Sequence, residues 1–333
     1  MDRQDRYRGC LVGGAAGDAL GYAVEFLGEE ALFGRYGERG ITEFQLYDGV
    51  ARISDDTQMT LFTAAGLLHD GGDPVENVWN AYGEWYVTQF HAYPAAGKNF
   101  SGLMDYRELW SPRAPGRTCL SAIAGGTPGS TKHAINHSKG CGGVMRAAPA
   151  GLCSPHNAMN AAILGAETAA LTHSHPLGWL PGAMLAHMVA ELVSIDRLPI
   201  AEAAHNAMFA MTYEFTHTPE LRGFQDLMNE ALALADSGTK DLDAIHSLGE
   251  GWVGDEAMAI ALFCAARYEN DFAGGITAAV NHRGDSDSTG AITGNLLGAK
   301  LGYAAIPERL RTALELRGVL LETADRLCAK TAQ

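Results

Sequence analysis

The chain has 333 residues, of which 47% are hydrophobic and 19% are charged, a composition typical of a globular protein with a sizeable core. Its 24 basic and 39 acidic residues give a formal net charge of −15, which argues against a nucleic-acid backbone or an anionic membrane as a partner. The charge does not argue against a small-molecule ligand. The six cysteines include no C-x-x-C pair, which argues against a zinc site and a disulfide framework and predicts reduced thiols.

The sequence carries no pattern typical of a membrane span or a secretory signal. The N-terminal segment begins with charges of both signs, and its apolar run is broken at Asp18. The longest apolar stretch elsewhere, residues 182–193, is interrupted by His187 and Glu191 before it reaches the roughly 18 residues that a span needs. We expect a cytoplasmic protein with no membrane partner.

From residue 56 onward, apolar residues are mostly spaced three and four apart, which is typical of α-helices. Frequent alanine, leucine and methionine favour the same structure. The only good candidate for an extended segment is ITEFQLYDGVARI, residues 41–53. The pattern therefore predicts an all-α fold with helices over residues 56–70, 156–173, 181–196, 255–270 and 308–330.

Two further predicted helices, one near each end of the chain, carry glycine at every fourth position. Four-residue spacing places these glycines on nearly one helix face, where another helix can approach closely. Each glycine costs about 1 kcal/mol of helix propensity relative to alanine, so we expect tight packing in return. The stripes predict that the two ends of the chain meet and form a single domain. They comprise Gly9, Gly13, Gly17 and Gly21, and Gly290, Gly294, Gly298 and Gly302.

Residues 94–156 are rich in glycine, proline, serine and threonine and read as the longest loop-like region. A loop of this length is uncommon in a compact domain unless it serves a site. Its glycines could present backbone N–H groups to phosphate oxygens. The segment GGTPGSTK is not a P-loop, because it lacks the glycine that should precede the lysine.

Two acidic clusters, ISDDTQ at residues 53–58 and GDSDST at residues 284–289, stand at predicted helix starts. Ser54 or Asp55 would cap the first helix, and Asp287 or Ser288 the second. A cap uses only one oxygen, so the remaining carboxylates need another explanation. If the glycine stripes bring the clusters together, their repulsion amounts to several kcal/mol unless protons or cations neutralise it. Oxygen ligands without histidine or cysteine favour Mg²⁺, Mn²⁺ or Ca²⁺, and such centres support hydrolysis.

Six blocks of the sequence, in order and spanning almost the whole chain, resemble the ADP-ribosylglycohydrolase family. This family includes the dinitrogenase reductase-activating glycohydrolases and the ADP-ribosylarginine hydrolases. The blocks are GCLVGGAAGDALGYAVEF (9–26), SDDTQMTL (54–61), SKGCGGVMRAAPAGL (138–152), THSHP (172–176), GWVGDEAMAIAL (251–262) and HRGDSDSTGAITGNLLGA (282–299).

The resemblance implies a compact orthogonal multi-helix bundle of the ADP-ribosylglycohydrolase type, formed as one domain over residues 1–333. It also implies a centre of two Mg²⁺ or Mn²⁺ ions that cleaves the N-glycosidic bond between ADP-ribose and a protein side chain, usually arginine. One hydroxyl ligand falls at Ser288, where many family members have threonine, and Thr289 is the next residue here. Either hydroxyl could therefore be the ligand. By position, the metal ligands would be Ser54, Asp55, Asp56, Asp285, Asp287 and Ser288.

Two carboxylates carry the expected proton transfer. By the resemblance, Glu25 lies close to the metals, and either Glu25 or Asp56 would take a proton from the attacking water. Without the resemblance, Glu25 would be read as a helix carboxylate that faces solvent. Asp18 suits a structural hydrogen bond at least as well as a catalytic role, and we leave it out of the catalytic set.

The resemblance places the ADP-ribose against a glycine-rich loop and one histidine. Backbone N–H groups of Gly140, Cys141, Gly142 and Gly143 would bind the diphosphate and ribose, although the same loop could be a simple turn. We expect Cys141 to serve through packing or its backbone. His173 would lie near the ADP-ribose, whereas a lone histidine at a helix end is more often a capping or core residue; His175 is a weaker candidate.

The resulting functional hypothesis is a hydrolase of ADP-ribosyl-arginine whose partners are an ADP-ribosylated protein and ADP-ribose. One alternative is hydrolysis of another ADP-ribose linkage, to serine, to nucleic acid or in a small metabolite. The other is a binding or immunity protein that blocks a partner ADP-ribosyltransferase. Four clustered carboxylates favour the enzyme, and residues 94–137 are the candidate region for substrate selection.

Overall fold

The computed structural model describes residues 2–95 and 97–332. Within these ranges the fold is all-α, as predicted, with one antiparallel pair of two-residue strands, β1 (Leu46–Tyr47) and β2 (Val50–Ala51), inside the segment predicted to be extended. The α-helices are α1 (Arg3–Tyr22), α2 (Glu29–Tyr36), α3 (Asp55–Leu68), α4 (Pro74–Phe90), α5 (Arg117–Ala124), α6 (Ala148–Cys153), α7 (Ala158–Ala170), α8 (Pro176–Ser194), α9 (Ile200–Glu214), α10 (Leu221–Ala235), α11 (Asp241–Leu248), α12 (Gly254–Arg267), α13 (Phe272–Val280), α14 (Ser286–Leu301) and α15 (Arg317–Lys330).

The glycine stripes of α1 and α14 face each other in antiparallel contact, as the sequence predicts. Gly302, predicted to lie within the second helix, is instead its C-cap, with a φ of 79°. A Cβ atom on Gly17 would lie 1.9 Å from the Gly290 carbonyl oxygen, and one on Gly298 would lie 1.9 Å from the Gly9 carbonyl oxygen. Neither position can accept a side chain without separating the helices. The contact fixes the C-terminal end of α1 beside the N-terminal end of α14, where Gly21 packs against Ser286.

Helix α8 lies in the core. By length and mean hydropathy it is the one helix in the described ranges that could cross a membrane, but 83% of its apolar window is buried inside the fold. Burial on all sides is what a core helix of a large domain shows. The helix begins at Pro176, five residues before the predicted start, and contains Pro181.

The long region over residues 94–156 is largely irregular, as expected, but it is not one loop. It includes α5 and α6 and single 3₁₀ turns at Arg107–Leu109 and Cys141–Gly143. Irregular residues of this region bond to the start of α3, where the Arg113 carbonyl accepts from the Asp55 N–H and the Ser111 carbonyl accepts from the Gln58 side chain.

The predicted helix over residues 308–330 is wrong in its first half. Residues Glu308–Leu310 form only a 3₁₀ turn, and α15 begins at Arg317 after Leu316, whose φ of 55° lies in the left-handed region. The intervening residues instead bond to Ala51, whose N–H donates to the Ala313 carbonyl and whose carbonyl accepts from the Glu315 N–H. This long-range pairing overrides the local helical pattern.

Candidate metal centre

Asp18, near the end of α1, anchors the start of α3. The carboxylate is fully buried, and its two oxygens accept from the Ser54 N–H at 3.0 and 3.1 Å. It also accepts from the Thr57 N–H at 3.1 Å and from the Thr57 hydroxyl. Its oxygens are engaged by protein donors, which agrees with the structural role considered for Asp18.

The first acidic cluster opens α3. Ser54 is the N-cap, as expected, and its hydroxyl oxygen accepts from the Asp56 N–H at 3.1 Å. Asp55 accepts from the Gly116 N–H at 3.1 Å, so the turn before α5 supports this carboxylate. Asp56 is buried, and its Oδ2 has no hydrogen-bond partner in the described part of the chain.

The second acidic cluster opens α14, but not at the predicted cap. The helix begins at Ser286 with Asp285 in the N-cap position, because the Thr289 N–H already donates to the Asp285 carbonyl at 3.1 Å. The proposed caps, Asp287 and Ser288, lie inside the first turn. The Asp285 side chain makes no capping bond; its Oδ2 accepts instead from the Cys141 thiol at 2.7 Å.

The two hydroxyls after Asp287 differ in their surroundings. The Thr289 hydroxyl is 2.7 Å from the Ala279 carbonyl, 2.9 Å from the Asp285 carbonyl and 3.0 Å from His282 Nε2. These contacts hold it among backbone carbonyls and His282. Ser288 is buried, and its hydroxyl interacts with the Asp285 carboxylate. Ser288 is therefore the better placed of the two toward the carboxylates.

Glu25 is buried beside the second cluster and does not face solvent. One oxygen each from Glu25, Asp285 and Asp287 lies within 4.8 Å of the other two. The side chain is 8% exposed, and its Oε2 has no hydrogen-bond partner among the described residues. The residue follows α1 by three positions, so the glycine contact of α1 with α14 is what carries it to this place. We call Glu25, Asp55, Asp56, Asp285 and Asp287 the acid cluster.

Burial and mutual repulsion make ionisation of the acid cluster costly. Burial, followed by the charges of Asp287 and Asp285, raises the pKa of Glu25 to about 10. Burial and the Asp287 charge likewise raise the pKa of Asp55, Asp56 and Asp285 well above the usual range. Without cations, the cluster would take up protons at neutral pH.

The donor set fits hard divalent cations. Its atoms are carboxylate and hydroxyl oxygens, which suit Mg²⁺ and Mn²⁺. The unpartnered buried oxygens of Glu25 and Asp56 are atoms that a cation would satisfy. The neighbouring Cys141 is a poor ligand, because burial and the nearby Asp285 raise the pKa of its thiol well above its usual value.

The predicted ligand loop forms the 3₁₀ turn at Cys141–Gly143 and lies between the acid cluster and His173. A Cβ on Gly142 would lie 2.7 Å from Cε1 of His173, so glycine is needed at this close approach. The Cys141 N–H donates to the Trp252 carbonyl at 3.3 Å, and the Gly140 N–H donates to the Ser138 hydroxyl at 3.4 Å. These two N–H groups already have protein partners. Of the four predicted backbone donors, those of Gly142 and Gly143 therefore remain the candidates for binding a ligand.

The two histidines of THSHP have different surroundings. His175 is the N-cap of α8, and its Nδ1 accepts from the Leu177 N–H at 3.1 Å. His173 is 2% exposed, and its Nδ1 lies 2.8 Å from the Thr172 hydroxyl. Burial, helped by the Arg146 charge, lowers the pKa of His173 to about 3, so the ring is neutral near pH 7.

Sequence reasoning missed several supporting residues. About sixty residues further along the chain, the Gly116 N–H donates to the Asp55 side chain, and the Arg113 carbonyl accepts from the Asp55 N–H. Glu315 accepts from the Ile53 N–H and pairs with Arg113 at 3.3 Å. Nothing in the local pattern marks these contacts. The Cys141 thiol contact was also missed, although Cys141 lies in a conspicuous glycine run.

A cavity of about 760 Å³ lies next to this support. Arg113 and Glu315 line it together with the aromatic side chains of Tyr47, Tyr93 and Trp110. The cavity therefore adjoins the segment that leads into Ser54, on the side where residues 94–137 pack.

Known proteins resemble the chain over more than nine-tenths of its length. The model of the ADP-ribosylglycohydrolase family matches residues 1–333. An uncharacterized protein of Archaeoglobus fulgidus is 29% identical over 97% of this chain and 96% of its own length. The ADP-ribosyl-[dinitrogen reductase] glycohydrolase of Rhodospirillum rubrum is 23% identical over 94% of this chain and 91% of its own. The ADP-ribosylhydrolase ARH3 of Danio rerio is 23% identical over 91% of this chain and 84% of its own.

A solved structure described as an ADP-ribosylglycohydrolase-related protein complex has the same fold. It superposes with a TM-score of 0.64 at 24% identity and covers 99% of each chain. The family match over the full length and the shared fold agree with the sequence blocks that suggested the relationship. The chain belongs to the ADP-ribosylglycohydrolase family.

Proposed function

We propose that the chain is a metal-dependent hydrolase that cleaves the N-glycosidic bond of ADP-ribosyl-arginine in modified proteins. The observation that carries the proposal is the acid cluster, in which the oxygens of Glu25, Asp285 and Asp287 lie within 4.8 Å of one another. Family membership supports hydrolysis of an ADP-ribose linkage. The Rhodospirillum relative, named for a modified protein, supports a protein substrate.

We propose that two Mg²⁺ or Mn²⁺ ions bind at the acid cluster. When bound, such ions would polarise the ribose oxygens and acidify a water molecule. The unpartnered oxygens of Glu25 and Asp56 support binding at this place. Between the two hydroxyls, the contacts of Thr289 favour Ser288 as the ligand. The proposed ligands are Ser54, Asp55, Asp56, Asp285, Asp287 and Ser288, and Glu25 is close enough to join them.

The protein side chains account for the proton transfer and the charge. Bond cleavage builds positive charge on the ribosyl carbon, and nearby carboxylates stabilise that oxocarbenium-like state. Asp56 or Glu25 removes the proton of the attacking water, for which a free, buried carboxylate oxygen is suited. Asp18 keeps its structural role, because protein donors occupy its oxygens.

We further propose that residues 1–333 form one domain and that residues 94–137 select the modified side chain. The helix contact between α1 and α14 joins the two ends of the chain, which supports the first point. The second is supported by the cavity beside the start of α3, to which this region contributes Trp110 and Arg113.

A panel of modified substrates tests the linkage. Release of free ADP-ribose would be measured from arginine-linked and serine-linked ADP-ribosyl peptides and from ADP-ribosylated nucleic acid, at equal concentration with Mg²⁺. We expect release from the arginine-linked peptide to exceed the others by at least tenfold in kcat/KM. Faster release from another linkage would replace arginine as the substrate. No release, with inhibition of an ADP-ribosyltransferase by the intact chain, would establish the blocking role instead.

A further inference from the structure

Three buried side chains from two of the sequence blocks form a chain of hydrogen bonds that ends at the glycine loop. We propose that Arg146 and Thr172 are positioning residues that hold His173 as the Nε2–H tautomer, so that His173 donates a hydrogen bond from Nε2 to an oxygen of the ADP-ribose. The identity of the ligand rests on the proposed function. The tautomer rests on the contacts themselves.

Arg146 is the fixed end of this chain of bonds. Its side chain is 1% exposed, and among the described residues no carboxylate lies within ion-pair distance of it. One Nη1 contact goes to the sulfur of Met59 and another to that of Cys119, each at 3.2 Å, and sulfur is a weak acceptor. Nη2 donates to the Thr172 hydroxyl oxygen at 2.6 Å. Of these three acceptors, the hydroxyl oxygen of Thr172 is the strongest.

The direction of the next bond follows from the chemistry of arginine. A guanidinium can only donate, so the Thr172 oxygen must accept from Arg146. The one hydrogen of the Thr172 hydroxyl is then free for His173 Nδ1, which lies 2.8 Å away. The competing acceptor is the Cys119 sulfur, which is weaker and already receives an Arg146 N–H. Nδ1 therefore accepts, and the hydrogen of the neutral ring is on Nε2.

The Nε2–H group points to the place where a ligand oxygen is expected. Cβ atoms on Gly140 and Gly142 would lie 3.3 and 3.1 Å from Nε2, so the ring edge lies against the glycine loop. In the described part of the chain Nε2 has no hydrogen-bond partner. The ring is only 2% exposed, but Nε2 itself is not sealed from solvent, so a ligand oxygen can reach it. Burial and the Arg146 charge also keep the ring neutral, as its lowered pKa indicates.

The tautomer can be observed directly by long-range ¹H–¹⁵N NMR of the full chain at pH 7.5 without ligand, with His173→Gln to assign the signals. We expect a pyrrole-type Nε2 and a pyridine-type Nδ1. Thr172→Val should lose this pattern, and Thr172→Ser should keep it. The matched control is Thr168→Val, which removes a buried hydroxyl that donates only to the Leu164 and Gly165 carbonyls.

Calorimetric titration with free ADP-ribose in Mg²⁺ tests the consequence. We expect Thr172→Val to weaken binding about tenfold, the loss of one well-placed hydrogen bond, and Thr172→Ser and Thr168→Val to stay within about twofold of the unaltered chain. If Thr172→Val does not fold, the spectrum of the unaltered chain and the serine variant still decide the tautomer.

Two results would overturn the proposal. One is an Nδ1–H or doubly protonated His173 in the unaltered chain, which would show that Thr172 does not donate to the ring. The other is an altered tautomer in Thr172→Val with unchanged affinity for ADP-ribose. If the unaltered chain has the Nε2–H tautomer but binds no ADP-ribose, the proposed function fails, and the ligand assignment fails with it.

Discussion

Asp287 offers a sharp test of the electrostatics, because its charge acts on every other member of the acid cluster. It is a charge partner that raises the pKa of Glu25, Asp55, Asp56 and Asp285. In metal-free protein, we therefore expect Asp287→Asn to raise the melting temperature, although it removes a buried group that the fold holds in place.

The size of the effect follows from the geometry. Two full charges 4.8 Å apart repel by about 3 kcal/mol at an effective dielectric constant of about 20. Because the cluster relieves part of this repulsion by taking up protons, we expect a gain of about 1–2 kcal/mol, or about 1–3 °C for a chain of 333 residues. With saturating Mg²⁺, the unaltered chain should instead melt at a higher temperature than Asp287→Asn, since a ligand at a hundred times its Kd stabilises the unaltered chain by about 2.7 kcal/mol.

Differential scanning calorimetry at pH 8, with EDTA and then with Mg²⁺, measures both effects. Glu76→Gln is the control, because Glu76 is an exposed carboxylate in the first turn of α4. It should change little in either condition. A lower melting temperature for Asp287→Asn in EDTA, or an equal gain from Mg²⁺ in Asp287→Asn and the unaltered chain, would refute the reasoning.

Three further outcomes follow from the same structure. In EDTA, the free energy of unfolding should rise as pH falls from 8 to 6. Burial raises the pKa of Asp18 to about 7, so the folded state binds protons more tightly than the unfolded chain does. A calorimetric stability that does not change with pH would contradict this. Gly17→Ala should lower the free energy of unfolding, measured with denaturant, by about 1–3 kcal/mol, since the added Cβ meets a backbone oxygen. Gly83→Ala is the control: its added Cβ meets nothing within 4 Å, so it should be neutral or stabilise the fold by up to about 1 kcal/mol. Asp56→Asn should lower kcat by about 10²–10⁴-fold with the fold intact by circular dichroism, and unchanged turnover would remove its assigned role.

The parts of the fold that sequence predicts are those set by local spacing. Apolar periodicity located α3, α7, α8 and α12 to within a few residues except at the start of α8, and the two glycine stripes predicted the contact of α1 with α14. The start of α15 was misplaced, because residues 313–315 bond to Ala51 and such pairing leaves no local signal.

The site shows the same division. The aspartates at the two helix starts predicted the acid cluster, because four carboxylates are more than the capping of two helices needs. The burial of Glu25 could not be read from its own segment, since it depends on where α14 begins. The Cys141 thiol contact joins residues 144 positions apart, and a single sequence gives no measure of that distance.

Metal-dependent release of ADP-ribose tests the central claim most directly. Free ADP-ribose would be measured from an arginine-ADP-ribosylated protein with Mg²⁺, with EDTA, and with a variant carrying both Asp285→Asn and Asp287→Asn. The account predicts release with Mg²⁺ by the unaltered chain and by Glu76→Gln, and loss of release in EDTA and in the double variant. Undiminished release in EDTA or in the double variant would show that the acid cluster is not the catalytic centre.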